Sequence, residues 1–178
     1  MTQITTKAEI LSALKDSSQL TQEWFTKIPA ANFFARQGKD WSASDNVDHL
    51  IKAIKPIVKA LRLPTLILHT MFGKPKKPSA TYDELCSSYK AEIAKGAQAS
   101  GNFLPDQETP ENPENKKTEL ISRLSRTIDQ LVSAIEKWND KALDETQLPH
   151  PILGMLTLRE ILFFTIYHNL RHASIEGD

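Results

Sequence analysis

Apolar residues in this chain recur at intervals of three and four, and four of the runs that carry them open on a hydroxyl-x-x-carboxylate tetrad. That pairing restricts the chain to helices, because an i, i+3, i+4 stripe lies on one side of a 3.6-residue turn and would scatter over both faces of a strand. Thr6-x-x-Glu9, Thr81-x-x-Glu84 and Thr157-x-x-Glu160 each set a hydroxyl where it accepts from a free helix N–H, with a carboxylate that reaches back to the cap's own N–H. Ser42-Ala43-Ser44-Asp45, after Trp41, is a start of the same kind.

From these starts the spacing predicts a helix over 6–28, with Ile10, Leu11, Leu14, Trp24, Phe25 and Ile28 inward and Pro29 closing it. A second runs from Ser42 to Arg62 on the stripe Val47, Leu50, Ile51, Ile54, Val58, Leu61, with a bend expected at Pro56, which lacks an N–H and crowds the preceding turn. Pro64 to Phe72 is a short extra piece, and a third long helix covers 81–96, where Gly96 stops it. Leu120, Leu124, Ile128, Leu131, Ile135 and Trp138 mark a helix over 117–138, and the last spans 157–175 after a turn region at Pro149, Pro151 and Gly154. Residues 100–117, with Pro105, Pro110 and Pro113, are expected to form a mobile irregular crossover. No run alternates as a strand does. The expected architecture is an all-α, antiparallel four-helix bundle with a long crossover loop and a short extra helix, one domain over 1–178.

A chain of 178 residues buries a core large enough to stand without disulfides or a structural metal, so any bound metal is expected to be functional. Lys+Arg and Asp+Glu each number 22, which leaves no basic excess for nucleic acid or an acidic membrane surface. Cys86 is the single cysteine, and Met1-Thr2-Gln3-Ile4 begins without a signal-peptide pattern, so a cytoplasmic location is expected. Lys59, Arg62 and Pro64 interrupt the longest apolar run well short of a membrane span.

His168 and His172 lie four apart in Tyr167-His168-Asn169-Leu170-Arg171-His172, which on a helix stacks two imidazoles one turn apart. His168 shares its face with Ile161, Phe164 and Thr165. A lone histidine there reads as a hydrogen-bonded core residue. Two together leave more buried nitrogens to satisfy, and both can bind one divalent cation, which then needs a third ligand to form a site with open positions. His49 aligns with Asp45, Asn46, Ala53, Pro56 and Ala60, away from its helix's apolar stripe. That line is either a solvated face or the small-residue wall of a pocket, and spacing leaves both readings open.

The segment Trp41-Ser42-Ala43-Ser44-Asp45-Asn46-Val47-Asp48-His49-Leu50, the stretch from His150 to Glu160, and His168-x-x-x-His172 together resemble the DinB-like superfamily, which includes YfiT-type hydrolases and bacillithiol transferases. The likeness covers nearly the whole chain. It implies that His49, His168 and His172 surround one divalent metal, Zn, Ni, Mn or Fe, facing a cleft in a four-helix bundle that is often dimeric. It further implies a metal-dependent transferase or hydrolase acting on a low-molecular-weight thiol or another small substrate, the metal lowering the thiol's pKa.

The other residues carry less chemistry. His150, in Leu148-Pro149-His150-Pro151, reads first as part of a rigid turn at the bundle end and second as a residue touching the cleft, and His69 and Cys86 read as packing residues. Lys74, Lys76 and Lys77 read as a solvated loop. Asp45 and Asp48 stand near His49 as candidates for outer-sphere support or proton transfer, Asp45 serving the helix N-terminus equally well. No catalytic base is assignable. His168-Asn169-Leu170-Arg171-His172 lacks the Glu of His-Glu-x-x-His, and no paired Glu-x-x-His motifs are present for a di-iron bundle. The rival expectations are a non-catalytic, metal-binding or stress-related homodimer, and a metal-free cleft for a small apolar ligand.

Overall fold

A computed structural model describes residues 4–174. Four helices carry most of the packing: α1 (Lys7–Lys27), α3 (Ala43–Leu61), α6 (Pro113–Ile135) and α8 (Leu158–His172). α1 packs on α6 and α8, α3 packs on α6 and α8, and α5 (Tyr82–Ala94) covers another side of α8. α8 is therefore enclosed on several sides, and its residues from Leu158 to Asn169 are buried with the exception of half-buried Glu160. Shorter helices fill the connections: α2 (Ala30–Phe33), α4 (Thr65–Phe72) and α7 (Asp140–Glu145).

The capping tetrads form as the sequence predicts. Thr6, Ser42, Thr81 and Thr157 each accept from the backbone N–H three residues on, and Glu9, Asp45, Glu84 and Glu160 each accept from the cap's own N–H. α3 runs unbroken through Pro56. A proline inside a helix costs about 3 kcal/mol, but the fully buried Val47, Leu50, Ile51 and Ile54 each return about 1.5–3 kcal/mol through burial. Packing against α6 and α8 outweighs the lost hydrogen bond.

Several expectations are corrected. Trp24 is 42% exposed rather than inward. α6 begins at Pro113, which sits in the first turn where a missing N–H costs nothing, with Asn112 as cap, so the helix starts four residues before the predicted 117. It ends at Ile135, and Trp138 instead packs beyond the helix with its indole N–H donating to Leu61 O. Within the supposed structureless crossover, Gly101–Phe103 forms a 3-10 turn. Residue 175, the predicted end of the last helix, lies outside the described residues.

The region of Pro149, Pro151 and Gly154 is a small antiparallel hairpin, β1 (Gln147–His150) paired with β2 (Gly154–Thr157), His150 opposite Gly154. Gly154 adopts φ 74 to close the three-residue loop, a conformation that favours glycine. Each strand is four residues long and Pro149 lies within one, so the alternation that signals a strand has no length in which to appear.

Candidate metal centre

Three imidazoles from two helices converge between α3 and α8. His168 Nε2 lies 3.1 Å from His49 Nε2 and 3.0 Å from His172 Nε2, and one ligand atom from each ring falls within 4.8 Å of the others. The i, i+4 spacing on α8 sets His168 and His172 side by side, and α3 brings His49 against them from the facing helix. His49 is 6% exposed and His168 4%, so the line His49 shares with Ala53 and Pro56 is the wall of a pocket, not a solvated face.

The outer nitrogens fix the tautomers. His49 Nδ1 is 2.7 Å from Phe103 O, a carbonyl that can only accept, so the proton sits on Nδ1 and the Nε2 lone pair faces inward. Phe103 is held over α3 because Lys52 Nζ donates to Leu104 O at 2.8 Å and pairs with Asp48, while Asp106 N donates to Asp48 Oδ2 at 3.1 Å. His172 Nδ1 is 2.6 Å from Asn46 Oδ1, and the Asn46 amide nitrogen donates to Ser42 O at 2.9 Å, which turns the amide oxygen toward the ring. His172 Nε2 therefore also points a lone pair at His168.

Lone pairs of this kind repel at about 3 Å unless a proton or a cation lies between them, and His168 Nε2 carries at most one proton to share between two neighbours. A divalent ion resolves the whole set, and imidazoles with a second nitrogen donating to a carbonyl or amide oxygen are the usual form of such ligands. Burial first, and then the charge of His172 and His49, holds His168 well below the ordinary imidazole value; burial also holds His172 well below it and lowers His49 despite the Phe103 hydrogen bond. The rings are neutral near pH 7, which is the form that binds metal. The donor set fits a cation.

Trp41 walls one side of the cluster, its ring 4.8 Å from His49 and stacked at 20° on His172 at 6.1 Å. Beside the cluster lies a cavity of about 100 Å³ lined by His49, His168, Phe164, Phe103, Tyr89 and His150. His150 thus takes the second of its two readings and touches the cleft. It ends β1 at the cavity wall, its ring 4.3 Å from Phe164, which in turn stacks on His168 at 4.6 Å.

Asp45 takes no part in the cluster. Its carboxylate caps α3 and accepts two bonds from Arg36, at 2.7 and 2.8 Å. Burial alone would raise this carboxyl, but the Arg36 and Ser42 hydrogen bonds outweigh it and hold the group below the ordinary value. Asp48 braces the turn that presents Phe103, as above. His69 Nε2 lies 3.1 Å from Glu145 O and 3.3 Å from Thr146 Oγ1, in keeping with a structural role. Sequence reasoning placed Asn46 beside His49 without giving it a role; its position three residues earlier on the same line was the available signal. Nothing in the sequence marked the Phe103 carbonyl, because backbone carbonyls carry no side-chain signature.

No curated protein and no solved structure matches the chain. A family model does, that of the DinB superfamily, over residues 13–175. With that match spanning both histidine-bearing helices, the chain belongs to the DinB superfamily.

Proposed function

We propose that His49, His168 and His172 hold one divalent cation, Zn, Ni, Mn or Fe, and that the adjoining cleft uses it as a transferase or hydrolase acting on a low-molecular-weight thiol or another small molecule. The observation that carries this reading is the meeting of three Nε2 atoms, two of them with lone pairs turned inward by Phe103 and Asn46. A cation there supplies Lewis acidity, lowering the pKa of a thiol or water and polarising a carbonyl. The chain's own residues supply the rest: Trp41 closes one side to water, Phe103 and Phe164 give the cavity apolar walls, and the tied imidazoles keep their orientation without reorganising.

One observation favours a non-catalytic, metal-binding or stress-related bundle instead. Among the described residues lining the cavity none is Asp, Glu, Lys or Arg, so no carboxylate or amine base faces it. A homodimer belongs to the reading by resemblance and a cytoplasmic location to the cysteine usage of the sequence; beside them stands the fact that no described helix is long and apolar enough to cross a membrane.

Elemental analysis of protein purified without a nickel column tests the proposal. About one metal per chain is expected, lost in His49→Ala and in His168→Ala while the helical circular dichroism persists. Loaded protein is then offered a small thiol with an electrophile, or a model ester. Metal with turnover supports the enzyme, metal without turnover the non-catalytic bundle, and wild-type protein that takes up none of the four ions sinks both.

A further inference from the structure

His150 has a feature that packing does not require. Its Nδ1 accepts from two backbone amides of the hairpin loop, Ile152 N at 3.2 Å and Leu153 N at 3.0 Å. A neutral imidazole that accepts on Nδ1 carries its proton on Nε2. Burial alone pushes this ring down to about 4, so the neutral form is the one present near pH 7. No hydrogen bond to a described residue takes up Nε2, and it is not among the fully buried atoms left without a partner. The free N–H edge belongs to a ring that lines the cavity. One phenyl ring, Phe164, separates it from His168.

We infer that His150 is a substrate-positioning residue, donating Nε2–H to a neutral carbonyl oxygen of a small compound whose other end lies at His49, His168 and His172. The inference rests on the metal reading above and names the substrate class of that site. A carboxylate is the poorer occupant, because the described lining offers no Lys or Arg and an unpaired charge there would lose its hydration without compensation. The spacing agrees: one aromatic ring, Phe164, stands between His150 and His168, so the carbonyl acceptor lies a short chain's length from the cluster. The substrate class is therefore a short thiol carrying an acyl or amide carbonyl about one aromatic ring's width from the sulfur, or an acyl compound of similar length.

The test uses the full chain loaded with cobalt, whose thiolate charge-transfer band reads thiol binding without any need for turnover. Two neutral thiols of similar length are compared: N-acetylcysteamine, which carries an amide carbonyl, and 1-butanethiol, which does not. Wild-type protein is expected to prefer the amide thiol by about threefold to tenfold, the worth of one hydrogen bond. His150→Phe should abolish the preference with cobalt stoichiometry unchanged, and His150→Gln, which keeps an N–H near the Nε2 position, should restore most of it. Long-range 1H–15N spectra should show His150 protonated on Nε2 only. Equal affinity of the two thiols for wild type, a preference that survives His150→Phe, or a proton on Nδ1 overturns the inference and leaves the metal reading standing. Since the wild-type comparison needs no variant, misfolding of His150→Phe does not shield the idea. Failure to bind cobalt, or cobalt bound with no thiolate band for either compound, removes the site or its thiol chemistry and this inference with it.

Discussion

At the scale of single residues, what separates these three histidines from ordinary core histidines is which nitrogen each one spends on the protein. His49 and His172 spend Nδ1, on Phe103 O and Asn46 Oδ1, and both are left with Nε2 for His168. Asn46 should then matter to a metal it never touches. Asn46→Ala is expected to weaken zinc about tenfold to a hundredfold in chelator competition with little change in stability, as loss of an outer-sphere hydrogen bond does elsewhere. Asn46→Asp keeps an acceptor and should hold affinity near wild type. Unchanged zinc affinity in the alanine variant would mean that Asn46 does not orient His172. Of these residues, His168 and His172 were legible from spacing, while His49 had two readings that periodicity could not separate. The resemblance favoured the ligand reading, and burial decides only that His49 stands in a pocket wall and not on a solvated face.

At the scale of elements, the starts of helices were the most legible feature of the chain, since a cap is a local arrangement within four residues and needs no tertiary partner. Asp45 joins that local role to a tertiary one through Arg36. Its folded-state carboxyl lies below the ordinary value of 3.8, so the ionised form contributes stability that is present above that value and is lost as pH falls through the lowered one. Asp45→Asn should cost about 1–2 kcal/mol at pH 6, and the gap between variant and wild type should close in urea titrations taken below pH 3.8. A gap that stays constant into acid would deny the ion pair its role. Apart from the start of α6, whose Asn112 cap was passed over, the misread elements lack a local signal: the hairpin is too short to alternate, and the 3-10 turn is held by Lys52 and Asp48 from another helix.

At the scale of the whole molecule, folding buries His49, His150 and His168, and half-buries His172, in neutral form around one cavity and its neighbouring cluster. In the unfolded chain each titrates near 6.5 and in the folded one lower, so below that value the unfolded state binds more protons and stability must rise with pH. The metal-free protein is expected to lose stability steeply from about pH 6.5 down toward 4, each histidine contributing up to about 1.4 kcal/mol per pH unit over its own window. Phenylalanine at position 150 should flatten part of that slope, and chemical denaturation at stepped pH reads it; a flat profile for wild type would contradict neutral burial. The sequence by itself determined the long helices, the four capped starts at Thr6, Ser42, Thr81 and Thr157, the i, i+4 pair and the family resemblance, because caps, periods and spacings act within a few residues. Only the tertiary structure decided that His49 faces inward, that Phe103 and Asn46 fix the tautomers, and that His150 reaches the cleft. Those facts depend on how segments more than fifty residues apart pack together, and no local pattern encodes that distance.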